Sequence, residues 1–191
     1  MNPVIDAIKS RRSTKNMKND VPSHDLIERI LEAATWAPNH HLTEPWRFVV
    51  IANDERLKLG ESMAQALEKT LKKDDPRNEE ILKAERQKPF RAPVIIAVVL
   101  SPNYENEKVV ELEETVAAGA ALQNLLLAAH SLGIATMVRT GKHSFGEPVR
   151  SYLKMSENEK LVGLVYTGYS AEPSLPSKRN PLESKVEWRG L

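Results

Sequence analysis

The first third of the chain contains two stretches in which apolar residues recur every three or four positions, the spacing typical of an amphipathic helix. The first stretch follows Asn2 and Pro3, which should start a helix that ends near Arg12. The second begins after Ser23, a good N-cap, and stops before Pro38. The chain is therefore expected to open with two short helices.

Four further apolar runs are nearly continuous, which is typical of strands buried on both faces. The strongest run covers residues 94–100, and the others cover 48–52, 134–139 and 161–167. Because helical patterns separate these runs, the sequence predicts a three-layer αβα domain.

The helical patterns between the strands cover about 53–71, 75–88, 111–132 and 147–154. The helix over 111–132 is the longest and has small residues on much of its surface. Small side chains let another helix approach closely, so we expect a central or interface helix. Gly133 is its expected C-cap.

From residue 171 the chain becomes polar and rich in proline, and its last apolar residues lie at 186–188. So few apolar residues cannot form a core of their own. We therefore expect a domain over residues 1–170, followed by an extended arm over residues 171–191 that pairs elsewhere.

Composition excludes several classes of function. The hydrophobic fraction of 41% and the charged fraction of 28% are ordinary for a globular domain. A net charge of +1 gives no global attraction to nucleic acid or to an anionic membrane. The absence of cysteine removes thiol catalysis, disulfides and thiolate metal sites. With no apolar segment long enough to span a membrane, we expect a cytoplasmic protein.

The densest group of potential ligand donors is Arg11-Arg12-Ser13-Thr14-Lys15. Guanidinium and hydroxyl groups this close together suit a phosphate. The alternative from these residues alone is a helix end whose cations oppose the helix dipole.

A second group lies in the loop over residues 37–48, which contains two prolines, two histidines and a tryptophan. The loop could form one edge of a planar ligand site, although Trp46 by itself is expected to be a core anchor. His40 and His41 are adjacent and so point apart, which argues against a metal site.

The third group, residues 137–143, follows a predicted strand, where α/β sheets commonly place ligands. Gly141 could let a ligand approach the backbone closely, and a simple glycine turn is the alternative. The eight glycines form no Gly-x-Gly pair, which excludes Rossmann and Walker loops. No Gly-x-Ser-x-Gly elbow is present, so any chemistry should come from a bound cofactor.

Taken together and in this order, the motifs resemble the FMN-dependent nitroreductase family, and most closely its compact NAD(P)H nitroreductase subgroup. The motifs that carry the resemblance are Arg11-Arg12-Ser13-Thr14-Lys15, Ala37-Pro38-Asn39-His40, Pro45-Trp46-Arg47-Phe48, Pro89-Phe90-Arg91-Ala92-Pro93, Gly133-Ile134, Arg139-Thr140-Gly141 and the stretches 161–168 and 178–183.

The resemblance implies an α+β fold of three αβα layers with a mixed, mainly antiparallel sheet. It implies a homodimer that holds two FMN molecules in the subunit interface and exchanges its C-terminal arm between subunits. It also implies NAD(P)H as the reductant and a nitroaromatic, quinone or related small molecule as the electron acceptor. Hydride transfer through the flavin would follow ping-pong kinetics, with no nucleic acid, membrane or metal involved.

By position in the motifs, the resemblance assigns Arg11 and Ser13, with Arg12 beside them, to the FMN phosphate and ribityl chain. It assigns Lys15 to the pyrimidine edge of the flavin, and no side chain to a catalytic role. The further flavin contacts that it implies are Trp36, His40, Val138, Arg139, Thr140, Gly141 and Arg179. Trp36 departs from the arginine that many relatives have there.

NAD(P)H is expected to stack transiently near residues 128–133, because a dinucleotide-binding motif is absent. Two alternatives remain from the sequence. One is a flavin-binding or flavin-sensing protein that is not a reductase, and the other is a dimeric interaction module that has lost its cofactor.

Overall fold

The computed structural model describes residues 2–104, 107–173 and 176–190. Its helices and strands alternate along most of the chain. In order they are α1 (Pro3–Ser10), α2 (His24–Thr35), β1 (Trp46–Ala52), α3 (Glu55–Glu68), α4 (Asn78–Arg86), β2 (Val94–Leu100), α5 (Glu111–Ser131), β3 (Ala135–Arg139), α6 (Glu147–Tyr152) and β4 (Lys160–Gly168).

The four strands form one sheet in the order β1-β2-β4-β3, and each neighbouring pair is antiparallel. Strand β2 lies inside the sheet and every one of its residues is buried. A single parallel bridge joins Ser13 to Thr136 at the outer side of β3. The sequence correctly predicted all four strands, and the one parallel contact comes from the N-terminal segment.

Helices cover both faces of this sheet, which confirms the three-layer αβα architecture. On one face, Ile30 of α2 and Leu125 of α5 pack against Val98 and other residues of the sheet. On the other face, Leu59 of α3 packs against Ile95 and further apolar residues of β2 and β4. The two hydrophobic cores therefore lie on opposite sides of one sheet.

Three predictions about the first half of the chain were wrong in detail. Helix α1 ends at Ser10 rather than near Arg12, because the Arg11 backbone, with φ −57° and ψ 134°, is no longer helical. The chain turns there so that the Thr14 amide can donate to the Thr136 carbonyl, at 3.0 Å. Strand β1 was expected to be buried, yet most of its residues are only half-buried, including Trp46, the expected core anchor. Its outer side has no strand beside it among the described residues.

The remaining helices have the predicted order with shorter bounds. Helix α3 stops at Glu68, and α4 begins only at Asn78, after a turn. A short 3₁₀ turn, Lys88–Arg91, contains Pro89 and separates α4 from β2. Gly133 has a φ of +74°, which confirms it as the residue that ends α5.

Several apolar side chains remain exposed in a single protomer. They include Val4 and Ile8 of α1, and Leu112 and Val116 of α5. The described tail, residues 176–190, is exposed throughout. No helix within the described ranges is long and apolar enough to cross a membrane.

Candidate functional site

The structure places three arginines near one another at the end of α1. Burial lowers the pKa of the Arg11 guanidinium, and the positive charges of Arg12 and Arg179 lower it further. Arg12 is held by hydrogen bonds to the carbonyls of Lys9 and Arg11, at 2.6 and 2.9 Å. Neither Arg11 nor Arg179 forms a salt bridge with any described residue. Two such cations, Arg11 and Arg179, crowded together without a carboxylate partner among the described residues, are suited to binding a multiply charged anion.

A cavity of about 180 Å³ lies beside these arginines and is lined by Arg11, Arg12 and Thr136 among others. Thr136 is 1% exposed, and its Oγ1 atom has no hydrogen-bond partner among the described residues. A buried hydroxyl without a partner is costly, so a ligand oxygen here would be stabilised. The motifs did not identify Thr136. A hydroxyl inside the otherwise apolar run 134–138 was the available signal.

The outer side of β3 carries backbone groups that a ligand could use. The Thr136 carbonyl points outward, since it accepts from the Thr14 amide rather than from β4. Amide and carbonyl of one residue point to the same side of a strand, and the sides alternate along it. The amides of Val138 and Thr140 therefore also face outward.

A second cavity, of about 400 Å³, brings together two motifs that are far apart in sequence. Lys15 and Arg139 both line it, with Asn16, Met17, Phe90 and Arg91. The Arg139 guanidinium lies 5.2 Å from the centre of the Tyr166 ring, and its Nε atom is buried without a partner in the described chain. Ser13 and Lys15 also line a neighbouring cavity that contains Arg12 and Glu172.

Gly141 behaves differently from the expectation. Its φ is −61°, which any residue can adopt, and a Cβ atom there would meet only the Ser144 Oγ, at 3.8 Å. Within the described protomer, neither the backbone conformation nor the space available requires glycine at this position.

The structure does not bring His40 to the arginine cluster within one protomer. His40 Nδ1 lies 2.8 Å from Glu113 Oε2, near the start of α5. Ser10, next to Arg11, contacts His130 near the end of the same helix, at 2.8 Å. Glu113 and His130 are 17 positions apart in α5, which separates them by about 26 Å.

Trp36, another of the expected flavin contacts, lies at the end of α2. It follows α2 as the C-cap residue and is 81% exposed. Its indole ring is therefore free to meet a surface outside the described protomer.

The loop that carries His40 is strained and anchored. His41, Leu42 and Glu44 all have positive φ values, between 44° and 55°, which are rare for residues other than glycine. The Thr43 hydroxyl donates to Glu114 Oε1 at 2.7 Å, and Glu114 is 1% exposed. Such strain persists only where the surroundings over-determine the backbone, so this loop has one defined shape.

One group of possible metal ligands exists within the described residues, namely His24, Asp25 and Glu28. All three are exposed and the group does not include His40 or His41. We assign no metal site to it.

The chain matches the model of the Nitroreductase family over residues 8–169. It is 32% identical to "Putative NAD(P)H nitroreductase YfhC" of Bacillus subtilis, over 94% of this chain and 91% of that protein. It is also 32% identical to "Putative NAD(P)H nitroreductase YdjA" of Escherichia coli K12, over 86% of each.

Solved structures agree with this relationship. A nitroreductase-like family protein from Bacillus cereus superimposes with a TM-score of 0.81 at 24% identity, over 100% of this chain and 97% of that one. A nitroreductase from Bacteroides fragilis with bound FMN superimposes with a TM-score of 0.76 at 28% identity, over 99% and 100%. Since both the family model and the sequence relatives span most of its length, this chain belongs to the nitroreductase family.

Proposed function

We propose that this chain is an FMN-dependent oxidoreductase that uses NAD(P)H to reduce nitroaromatic, quinone or related acceptors. The observation that supports this most is that Arg11 and Arg179 lie near the buried Thr136 hydroxyl, and that none of the three has a carboxylate partner within the described ranges. When bound, FMN supplies the redox chemistry, since it can take a hydride from NAD(P)H and deliver it to an acceptor. Relatives whose names contain NAD(P)H nitroreductase, and a similar structure with FMN, support the same reading.

The donor set at the arginine end fits a phosphate monoester. Arg11, Arg12 and Arg179 would bind the phosphate oxygens, and guanidinium groups form charge-assisted hydrogen bonds with such oxygens. Ser13 would donate to the ribityl chain or the phosphate from the segment that runs beside β3. Thr136 lines the same cavity, and its buried hydroxyl, which has no partner among the described residues, would be a further donor there.

The cavity of about 400 Å³, lined by Lys15 and Arg139, is the proposed site of the flavin ring. We propose that Lys15 lies near the pyrimidine edge, where reduction places negative charge on the ring. Arg139 borders the same cavity, and the outward amides of Val138 and Thr140 would hydrogen-bond the ring edge, with Gly141 beside them. None of these groups has to act as a base, because hydride transfer needs positioned reactants rather than proton abstraction by the protein.

The distance along α5 supports a homodimer with shared sites. A flavin held by Arg11 could contact His40 only if His40 came from the partner subunit, because one protomer separates its own arginines from its own His40 by the length of α5. We propose that the exposed Trp36 reaches the flavin from the partner subunit as well. The exposed apolar residues Leu112 and Val116 on the same helix give that partner a surface to cover.

The C-terminal residues support an exchanged arm. We propose that residues 171–191 cross to the partner, while residues 1–170 form the FMN-binding domain. Leu182 and Trp188 are 65% and 68% exposed, and the outer side of β1 borders an apolar cavity of about 660 Å³. An open strand edge beside an apolar cavity is a ready acceptor for another strand. A chain that lacks residues 171–191 should therefore dimerise more weakly, which sedimentation experiments would measure.

A flavin titration tests the proposed function directly. Purified chain should bind FMN, and FMN at a hundredfold excess over its Kd should stabilise the fold by about 2.7 kcal/mol. Anaerobic NAD(P)H should then bleach the absorbance of the bound flavin, and a nitroaromatic or quinone should restore it.

The outcomes separate the candidates. No flavin uptake and no thermal shift would contradict the proposal and would favour an interaction module without cofactor. Tight binding that NAD(P)H does not bleach would indicate a flavin-binding or flavin-sensing protein instead.

A further inference from the structure

The cavity of about 400 Å³ is lined by three cations from three separate segments of the chain. Lys15 follows the arginine motif, Arg139 ends β3, and Arg91 lies in the 3₁₀ turn before β2. The motifs and the family resemblance assign Lys15 and Arg139 to the flavin, whereas nothing assigns a role to Arg91. No acidic residue is among the described residues that line this cavity.

A rigid turn holds the backbone of Arg91 in place. The Arg56 guanidinium lies 4.8 Å from the centre of the Phe90 ring, and Arg56 Nη1 donates to the Ala92 carbonyl at 2.8 Å. Pro89 is buried on the other side of the turn. Phe90 and Ala92, the two neighbours of Arg91, are therefore held in place. Arg91 lines the cavity from this ordered segment.

Carboxylates lie near this cavity, but none of them forms an ion pair with its three cations in the described part of the chain. Lys15, Arg91 and Arg139 form no salt bridge with any residue in the described part of the chain. Glu85, the acidic residue whose charge reaches Tyr166, is already bonded to Lys88, at 2.5 Å. Three like charges around one cavity repel one another, so an anion placed between them would be stabilised.

The positive charge of Arg91 also acts on a buried side chain, Tyr166. Burial raises the pKa of the Tyr166 hydroxyl to about 12, and the positive charges of Arg139 and Arg91 act against this rise. Tyr166 is 2% exposed and lies under Arg139. Arg91 and Arg139 therefore act together on one site beneath the cavity.

We propose that Arg91 is a third cation, beside Lys15 and Arg139, that stabilises the negative charge of the reduced flavin ring and so raises its two-electron reduction potential. This inference rests on the proposed function, because it requires the flavin ring in this cavity. The oxidised ring carries no net charge, so Arg91 should favour the reduced form selectively.

The test compares the FMN-loaded wild type with Arg91→Gln, Arg91→Lys and Arg29→Gln. Arg29 is exposed on α2, so its substitution removes the same charge at a site outside the cavity lining. The midpoint potential of the bound FMN is measured by equilibration with reference dyes, and the Kd of oxidised FMN by titration. Circular dichroism confirms the fold of each variant.

Arg91→Gln should weaken the binding of reduced FMN about tenfold relative to oxidised FMN, which lowers the midpoint potential by about 30 mV. The Kd for oxidised FMN should change less than threefold. Arg91→Lys and Arg29→Gln should keep the wild-type potential. A bound FMN whose potential does not fall in Arg91→Gln, or falls equally in Arg29→Gln, overturns this inference and leaves the proposed function intact. A wild-type chain that binds no FMN overturns both.

Discussion

Two arginines of this chain lie in opposite electrostatic surroundings. Arg47 of β1 donates from Nε and Nη2 to the two carboxylate oxygens of Glu159, each at 2.8 Å, and this raises the Arg47 pKa. Arg11 instead has Arg12 and Arg179 as charged neighbours, and burial together with these charges lowers its pKa. The Arg47 guanidinium is neutralised by a carboxylate of the same protomer, whereas the Arg11 guanidinium has no carboxylate partner among the residues that the structure describes.

The difference separates a structural role from a binding role. The bidentate pair of Arg47 and Glu159 joins β1 to the segment before β4, so its hydrogen bonds are made whenever the protein is folded. Removing one partner leaves the other charge poorly compensated, which destabilises the fold. Arg11 forms no ion pair with any described residue, and its position among cations costs energy until an anion binds. A substitution in the pair of Arg47 and Glu159 should therefore lower stability, whereas a substitution of Arg11 should weaken ligand binding.

Arg11→Ala should have the largest effect, on FMN affinity. Loss of a charge-assisted hydrogen bond to a phosphate costs about 3 kcal/mol, so the Kd for FMN should rise by about 100-fold. The thermal stability of the cofactor-free protein should not fall, because the substitution relieves repulsion among Arg11, Arg12 and Arg179. Fluorescence titration and thermal unfolding measure the two quantities.

Arg29→Ala is the matched control, since it removes an exposed arginine that lines none of the cavities described above. It should leave the Kd for FMN within twofold of wild type. Equal losses of affinity in Arg11→Ala and Arg29→Ala would mean that only the overall charge matters. An unchanged Kd for FMN in Arg11→Ala would show that Arg11 does not bind the phosphate.

Glu159→Gln should have the next largest effect, on stability rather than on binding. The Arg47 guanidinium, with the Ser156 amide, lowers the pKa of the Glu159 carboxyl to about 2. The substitution should reduce the free energy of unfolding by about 2 kcal/mol at pH 7. The Kd for FMN at that pH should stay unchanged. Urea unfolding and flavin titration provide the two measurements.

The same pair predicts a pH dependence with a definite sign. Because folding lowers the pKa of Glu159, its contribution is complete above the unfolded value of about 4.3. It is lost as the pH falls from there through about 2. The stability difference between wild type and Glu159→Gln should therefore shrink towards zero as the pH falls from 5 to 2. A difference that is constant over this range would show that the pair contributes nothing through ionisation.

Local patterns were sufficient for most of the fold. The apolar runs correctly predicted four strands, and the helical spacing predicted α2 and α5 within a residue or two. The end of α1 was misplaced because the chain turns to reach Thr136, more than 120 residues away. Local spacing contains no information about that contact. The open side of β1 was missed for a similar reason, since an apolar run does not reveal which strand lies beside it.

For the candidate site, the motifs predicted residues but not their arrangement. Lys15 and Arg139 do line one cavity, although 124 positions separate them in the chain. Arg91 lies in one of the motifs, but the sequence predicts no role for it, because its relation to this cavity exists only in three dimensions. The sequence could not predict the distance between His40 and Arg11 either. The two motifs follow one another in sequence but lie at opposite ends of α5.

His40→Ala should have the smallest effect, and it gives the sharpest test of a shared site. Loss of one neutral hydrogen bond costs about 1 kcal/mol, so the Kd for FMN should rise about fivefold. A heterodimer of one Arg11→Ala protomer with one His40→Ala protomer distinguishes the geometries. If each flavin uses Arg11 of one subunit and His40 of the partner subunit, one site in the heterodimer has both defects and the other has neither. Titration of a differentially tagged heterodimer should then recover one site of wild-type affinity per dimer. If both residues came from the same protomer, every site would have one defect, and no wild-type site would appear.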